Sequence, residues 1–250
     1  MDDSDLTLRR AEPADAEAIA DLYSAARVAA VPMMPPALHT NEEDRAYFAG
    51  QLAKPSHEAW LAEREGELLG YALIDPVWLD HLFIRADVTG SGVGSLLLDL
   101  VKSVRPDGFS LWVFESNTGA RRFYARHGVV ELERTDGSAN EERAPDVRMA
   151  WPGRDPVSFF RGLIDEVDQQ LGDLLARRVA LTRAVQHHKR DATRDPAREA
   201  QIAAVMARRA PELGEERLTR IVHTIITESL DAVADREPDR QDGAHDAHTQ

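Results

Sequence analysis

The chain has 250 residues, 43% of them hydrophobic and 30% charged, as is usual for a globular protein. Its formal net charge of −14 disfavours a nucleic-acid partner, and its lack of cysteine excludes disulfides, thiolate catalysis and cysteine-ligated metals. Because we find neither an apolar run of about 18 residues nor the pattern of a signal peptide, we expect a cytoplasmic protein with no membrane partner and no metal site.

The first half of the chain alternates predicted strands with predicted helices. Short apolar segments bounded by turn residues predict the strands LTLRR, EAWLAE, ELLGYALI, LDHLFI and FSLWVFE. Helical patterns lie between them, in PADAEAIADLYSAAR, NEEDRAYFAGQLA, SGVGSLLLDLVKSV and GARRFYARHG. This mixture predicts a layered α/β or α+β domain over residues 1–152.

A glycine-rich loop, TGSGVG, joins a predicted strand to a helix with an apolar face. The N–H groups of such a loop favour an anion at the helix N-terminus, and glycine lets a phosphate approach the backbone closely. A P-loop would need a lysine before the helix, and a dinucleotide fingerprint needs G-x-G-x-x-G. Because Gly90, Gly92 and Gly94 are spaced G-x-G-x-G, we predict a different pyrophosphate loop.

Two motifs in register resemble the GNAT acetyltransferase superfamily. The loop is similar to its acetyl-CoA pyrophosphate loop, although Thr89 stands where the family often has arginine, which removes one charged contact to the phosphates. The second motif is LWVFESNTGARRFYARHGVVEL, in which an asparagine precedes a helix with the A-x-x-F-Y pattern and a closing Gly-Val pair. The resemblance covers the whole first half and implies an α+β fold with a GNAT-type mixed sheet flanked by helices.

The resemblance also implies acetyl-CoA as the cofactor and acetyl transfer to an amine that the sequence does not identify. Backbone N–H groups would hold the pyrophosphate, from Gly90, Gly92, Val93, Gly94 and Ser95. The pantetheine arm would run beside Leu82, Phe83 and Ile84 and would contact Asn117. Tyr124 would protonate the departing CoA thiolate as general acid. The general base is left open among three residues that flank the expected cleft, Asp80, His81 and Glu115.

No strand pattern remains after Trp151. WPGRDP indicates a linker by its Pro and Gly content, at residues 153–157. Three helical stretches follow, at about 157–190, 196–210 and 215–235, and they predict an all-α three-helix domain over residues 158–236. The polar segment 237–250 predicts a disordered tail.

The long helix of this second half carries cations on the apolar stripe that is expected to turn inward. Arg178 lies in mid-helix, and a buried cation requires an anionic partner, which a ligand inside a helical bundle would supply. Along the axis, Lys189 is roughly 16 Å and Arg161 about 25 Å from Arg178. Because the second distance is too long for one compact ligand, Arg161 would reach the site of another protomer, which predicts an intertwined homodimer.

Five elements in order resemble the all-α (AroQ-type) chorismate mutase family: RGLIDEVDQQ, LGDLLARR, Lys189, DPARE and IITES. The resemblance spans about 157–235 and implies cofactor-free rearrangement of chorismate to prephenate, achieved by holding a compact conformer and stabilising charge as the ether bond breaks. Arg178 and Arg161 of the partner subunit would clamp the two carboxylates. Lys189 would bond the ether oxygen, and Glu199 would take the ring hydroxyl. The remaining wall residues would be Arg198, Asp195 and Ser229.

Val233 departs from this pattern, because the family usually has Gln or Glu there, donating to the ether oxygen. Losing such a donor costs on the order of 100-fold or more in rate. The substitution leaves open 4-amino-4-deoxychorismate or isochorismate as the substrate, although the retained Arg-Glu pair favours the mutase. A second hypothesis makes one domain a non-catalytic sensor of acetyl-CoA or chorismate. The fusion suggests a shared pathway, such as the shikimate route of aromatic amino acid biosynthesis, by association alone.

Overall fold

A computed structural model describes residues 6–188 and 195–235 of the chain. The chain divides into two compact units, one up to Arg161 and the other from Gly162 onward. The predicted tail at 237–250 and the predicted ligand residue Lys189 lie outside the described residues.

The first unit contains the mixture of strands and helices that the sequence predicts. The strands are β1 (Leu6–Arg10), β2 (Glu58–Arg64), β3 (Glu67–Ile74), β4 (Leu79–Ile84), β5 (Phe109–Phe114), β6 (Val130–Arg134) and β7 (Asp146–Trp151). The helices are α1 (Ala16–Ala29), α2 (Asn41–Leu52), α3 (Val93–Val104) and α4 (Thr118–Arg126), with short 3-10 turns at Pro13–Asp15 and Ala86–Val88.

The strands form two antiparallel sheets, in the orders β1-β2-β3-β4 and β5-β7-β6. One parallel bridge joins them, between Trp78 and Ser110, where the Ser110 N–H donates to the Val77 carbonyl at 2.9 Å. No further pairing links β4 to β5 among the described residues. The two strands therefore meet at one end and leave an opening along the rest of their length.

Helices cover both faces of the first sheet, because β3 is apolar on each side. Tyr71 and Leu73 of β3 pack with α1 and α2, while Ala72 and Ile74 pack in the cluster that includes α3. The apolar stripe of α3 is buried there, through Val93, Leu97, Leu98 and Val101. This packing holds the start of α3 beside the end of β4, where the glycine-rich loop lies.

Strands β6 and β7 were not predicted from the sequence. Every residue of β6 is exposed, so the segment VELER shows no apolar alternation, and its charges suit an edge strand. β7 lies between β5 and β6 and buries Val147, Met149 and Ala150. Its short apolar pattern is interrupted by Arg148, which explains why the sequence alone did not reveal it.

The second unit is helical, as predicted, and is built from α5 (Pro156–His188), α6 (Pro196–Arg209) and α7 (Gly214–Ala234). The first turn of α5 precedes the unit boundary and packs Phe159 over Gly108 of the first unit. A small core joins α6 to α7 through Ala203, Val222 and Ile226. None of the described helices combines the length and the apolar character that a membrane crossing requires.

The stripe on α5 that was expected to turn inward is exposed in the single chain. No residue of α5 is buried, and Ile164 and Leu171 are 57% and 47% exposed. Leu175 and Val185 on the same stripe are also exposed. Isolated apolar residues on a surface are ordinary, whereas a contiguous exposed stripe of this kind marks an interaction surface.

Candidate functional site

The opening between β4 and β5 is a cleft of about 1090 Å³. It is lined by residues of β4, β5, α1, α3 and α4 and by the loop between β6 and β7. The predicted cofactor residues Leu82, Phe83 and Ile84 lie on its β4 wall. Because β4 pairs only with β3 along this stretch, its other edge offers main-chain hydrogen-bonding groups to the cleft.

The glycine-rich loop forms a concave cradle at the start of α3. Gly90 and Gly92 have φ values of 84° and 97°, a region that glycine enters at little cost, and a Cβ at either position would meet no atom within 4 Å. The first helical hydrogen bond runs from the Leu96 N–H to the Gly92 carbonyl. The N–H groups of Val93, Gly94 and Ser95 therefore have no acceptor within the helix.

Two contacts fix this cradle against neighbouring elements. A Cβ at Gly94 would meet side-chain atoms of Ile84 and Phe123 at 3.5 and 3.6 Å, so α3 packs closely on β4 and α4 at this point. The Ser95 hydroxyl lies 3.0 Å from His127 Nε2. Its side chain is thus engaged with the residue that follows α4, while its backbone N–H stays among those without an acceptor in the helix.

Tyr124 lies buried on α4 and lines the cleft. Its ring packs edge-on against Phe123, with centroids 5.3 Å apart. Burial raises the pKa of Tyr124 above its ordinary value, so the phenol keeps its proton at neutral pH. Asn117 also lines the cleft and begins α4, where its Oδ1 accepts from the Ala120 N–H at 3.0 Å. That cap leaves the Nδ2 amide group as a donor.

The structure separates the three candidates for the general base. His81 lies between two tyrosines, with Nδ1 3.0 Å from the Tyr71 hydroxyl and Nε2 3.3 Å from that of Tyr47, and burial lowers its pKa to about 3. Burial, and then the charge of Asp75, raise the pKa of Asp80 to about 6. Glu115 pairs with Arg134 at 2.8 Å. Asp80 therefore combines a place on the cleft wall with the more suitable proton affinity.

One group of described side chains has donor atoms spaced for a metal ion, and it was not predicted. His57, Asp75 and Asp80 bring ligand atoms within 4.8 Å of one another. Asp75 Oδ1 already accepts from the N–H groups of Val77 and Trp78, at 2.8 and 2.6 Å, and His57 Nε2 lies 3.9 Å from Asp80 Oδ2. The turn around Asp75 and the proximity of His57 to Asp80 explain why these side chains lie together, and we assign no metal to them.

In the second unit, α5 and α7 approach each other at Arg178 and Ser229. Arg178 is half-buried and donates to the Ile225 carbonyl at 3.3 Å, and the buried Ser229 hydroxyl donates to the same carbonyl at 2.5 Å. Val233 is buried one turn further along α7. The structure thus brings three of the predicted mutase residues to one region.

The start of α6 presents the other predicted mutase residues. Asp195 caps the helix by accepting from the Arg198 N–H at 3.0 Å, which places Arg198 and Glu199 in the first turn. Glu199 Oε2 lies 3.7 Å from His223 Nδ1 on α7. Arg161 is exposed near the opposite end of α5, apart from this group within one chain.

Family comparisons assign each unit. Residues 17–129 match the model of the acetyltransferase (GNAT) family, and residues 160–232 match that of chorismate mutase type II. The chain is a GNAT acetyltransferase domain followed by a chorismate mutase domain. Both families are enzyme families, and the predicted pair of folds is confirmed.

Named relatives cover the acetyltransferase domain. Over 99 residues the chain is 29% identical to the peptidyl-lysine N-acetyltransferase YjaB of Salmonella typhimurium, covering 39% of this chain and 68% of that protein. It is 27% identical over 119 residues to an N-acetyltransferase of Archaeoglobus fulgidus, covering 41% of this chain and 80% of that protein.

Solved structures agree on the fold of this domain. An acetyltransferase from Thermus thermophilus matches with a TM-score of 0.50 and 20% identity, over 61% of this chain and 99% of its own. The protein yncA from Salmonella typhimurium, solved with its cofactor acetyl-CoA, gives a TM-score of 0.50 and 16% identity, over 61% of this chain and 96% of its own. At these identities the comparison concerns the fold alone.

The acetyltransferase cleft suits the cofactor of its family. Acetyl-CoA carries an anionic pyrophosphate and an extended arm with amide groups. The pyrophosphate fits the open space above Gly90 and Gly92 and the free N–H groups at the start of α3. The arm fits the unpaired edge of β4. A side chain at either glycine would project into this open space above the loop.

Four charged residues of the acetyltransferase cleft were missed by the sequence analysis: Arg27, Arg126, Glu142 and Asp146. Arg126 follows Tyr124 on α4 and adds a cation to the cleft, where Thr89 lacks one. Arg27 and Glu142 form an ion pair although 115 positions separate them. A single sequence carries no local signal for a contact of that range.

Proposed function

We propose that this chain is a bifunctional enzyme that acetylates an amine with acetyl-CoA and rearranges chorismate to prephenate. Residues 1–152 would form the acetyltransferase, residues 153–157 the linker and residues 158–236 the mutase. For the acetyltransferase, the observation that carries the proposal is the open glycine cradle in the same cleft as the buried phenol of Tyr124.

The acetyltransferase residues divide the work along the cleft. Acetyl-CoA supplies an activated thioester carbonyl when it is bound. The N–H groups of Gly90, Gly92, Val93, Gly94 and Ser95 bind its pyrophosphate, and β4 and Asn117 orient its arm. Tyr124 holds a proton at its hydroxyl and gives it to the departing sulfur. The raised pKa of Tyr124 keeps that proton in place until the C–S bond breaks.

Binding of acetyl-CoA tests the cradle. We expect Gly92→Ala to weaken acetyl-CoA binding roughly 10- to 100-fold, the equivalent of losing a hydrogen bond to a charged group. The matched control is Gly66→Ala in the β2–β3 turn, which has a similar φ of 79° and equally open surroundings but lies outside the cleft lining. Isothermal titration calorimetry measures both. Equal weakening in the two variants would attribute the effect to backbone strain and contradict the cradle.

We propose Asp80 as the general base of this reaction. Its pKa is raised to about 6, so the carboxylate is ionised at neutral pH and accepts a proton from the ammonium group of the acceptor, which yields the free amine that attacks. Because the protonated form takes over as pH falls, we expect kcat/KM for acetyl transfer to drop about ten-fold per pH unit below about pH 6. Asp80→Asn should be slow at every pH and should lack this limb. If kcat/KM of Asp80→Asn falls below pH 6 in the same way as that of the wild-type chain, the fall is caused by protonation of the substrate amine.

For the mutase, the proposal rests on Arg178, Ser229 and Val233, which share one region of α5 and α7, and on Glu199 in the first turn of α6, which lies beside His223 of α7. Arg178 binds a carboxylate of chorismate, and Glu199 accepts from the ring hydroxyl, so the reacting ends are held together. The domain needs no cofactor for this step. Incubating chorismate with the purified chain, with its absorbance followed and prephenate identified by chromatography, tests the activity.

We propose that α5 pairs with a second copy of the chain, which supplies Arg161 of the partner subunit to each mutase site. The exposed apolar stripe through Ile164, Leu171 and Val185 supports this dimer. Leu171→Asp should weaken dimerisation roughly ten-fold or more, because an unpaired carboxylate would be buried. Gln169→Asp, about half a turn away on the same helix, should leave it unchanged. Sedimentation velocity measures both, and a monomeric wild-type chain would contradict the dimer.

A further inference from the structure

Arg27 is a buried cation in the wall of the acetyltransferase cleft. It is 4% exposed, lies on α1 and lines the cleft. Its Nη2 donates to the carbonyls of Pro35 and Pro36 at 3.3 and 3.4 Å and to Glu142 at 3.1 Å. Its Nε is buried and has no acceptor among the described residues. Since a guanidinium has five N–H donors, Arg27 has more donors than these contacts use.

The carboxylate beside Arg27 comes from the loop between β6 and β7. Asn140 holds this loop in shape, because its side chain bonds both the N–H and the carbonyl of Ala144 and donates to Asp146. Glu142 is thereby carried to the cleft and pairs with Arg27 across the chain. A loop carboxylate at this place has the same charge and shape as the carboxylate of a small ligand, so the two would compete for Arg27.

The surroundings of Arg27 are apolar and aromatic. The rings of Tyr23 and Phe114 each lie 5.8 Å from its guanidinium carbon, and Met33 and Met34 line the same cleft. A cation enclosed by such walls favours a ligand that combines one anionic group with an apolar body.

We propose that the acetyl acceptor is a small aminocarboxylate with an apolar body, whose carboxylate binds Arg27 in place of Glu142. This inference rests on the proposed acetyl transfer and names its substrate class. In the reaction the acceptor nitrogen forms an amide bond with the acetyl carbon as the C–S bond of the thioester breaks. The ammonium group loses one proton to Asp80 before the attack. The nitrogen loses a second proton as the amide forms, and this proton restores Tyr124 after its hydroxyl has protonated the sulfur.

Matched pairs of acceptors test the carboxylate requirement. Because the chain has no cysteine, a thiol reagent added to the full-length protein reports only the CoA released. We expect phenylalanine to exceed 2-phenylethylamine, and leucine to exceed 3-methylbutylamine, by roughly ten-fold or more in kcat/KM, the effect of losing a hydrogen bond to a charged group. Lysine blocked at both ends, which resembles a peptide side chain and has no carboxylate, should be a poor acceptor.

Variants of the ion pair between Arg27 and Glu142 supply a second readout, and the first of them leaves Arg27 unchanged. Glu142→Gln removes the competing carboxylate and should lower KM for phenylalanine, while KM for 2-phenylethylamine stays the same. The neighbouring Glu141→Gln, which loses only a contact with exposed His39, should change neither. Arg27→Gln should raise KM for phenylalanine toward that of the matched amine.

The outcomes separate this inference from the proposed function. Suppose that acetyl-CoA binds in calorimetry and that the amines or blocked lysine are acetylated as well as, or better than, the amino acids. That result would overturn the carboxylate site and leave the acetyltransferase in place. A rise in KM for phenylalanine in Glu142→Gln would also overturn it. Failure of the wild-type chain to bind acetyl-CoA would overturn both.

Discussion

Replacing Tyr124 with phenylalanine is expected to lower kcat for acetyl transfer about 10²- to 10⁴-fold, the range that a positioned general acid contributes. The substitution keeps the ring that packs against Phe123 and removes only the hydroxyl in the cleft. Affinity for acetyl-CoA should therefore be unchanged in calorimetry. Steady-state release of CoA thiol at saturating acceptor measures the effect.

A second buried phenol provides the control for this substitution. Tyr71 is fully buried but lies outside the cleft lining, and its hydroxyl contacts His81. Tyr71→Phe should alter thermal stability more than kcat. If Tyr124→Phe retains wild-type kcat, Tyr124 is a core residue and the departing sulfur takes its proton from water.

Replacing Val233 with glutamine is expected to raise kcat for the rearrangement of chorismate by roughly 10²- to 10³-fold, the value of one donor aimed at developing oxygen charge. Val233 is buried one turn from Ser229, so a side chain there shares its helix face. The amide would lose its solvation in the free protein and lower stability by about 1–3 kcal/mol. Chorismate absorbance and a thermal melt record the two effects.

The control for this gain is Val233→Leu, which alters volume without adding a donor and should leave kcat low. No gain in Val233→Gln, combined with turnover of 4-amino-4-deoxychorismate by the wild-type chain, would mean that the apolar residue suits a different substrate. Binding of chorismate without turnover in both variants would favour the sensor hypothesis.

Local patterns predicted the parts of this molecule that depend on neighbouring residues. The cradle follows from glycines two positions apart before an apolar helix, and α6 begins at Pro196, where the second helical stretch was predicted to begin. Both are decided within a few residues of chain, where turn and capping preferences act. The strand β6 has no buried face, so it gave no such signal.

Contacts between distant segments could not be predicted in this way. The low pKa of His81 arises because two tyrosines from other elements and the surrounding core remove it from water. Arg27 meets Glu142 only because α1 and a loop of the second sheet face the same cleft. The charge of each residue was visible in the sequence, while its solvation and its partner depend on tertiary structure.

The single bridge between β4 and β5 bears on how the domain avoids aggregation. A strand edge with unsatisfied N–H and carbonyl groups is a template for pairing with another chain, and proteins usually block it with charge or distortion. Here the free edge of β4 faces a cleft with helical and loop walls instead of the bulk solvent. An extended small molecule can enter that space, whereas a second β-sheet would collide with the walls. The same opening that admits a ligand with amide groups thus protects this edge of β4 from pairing with another chain.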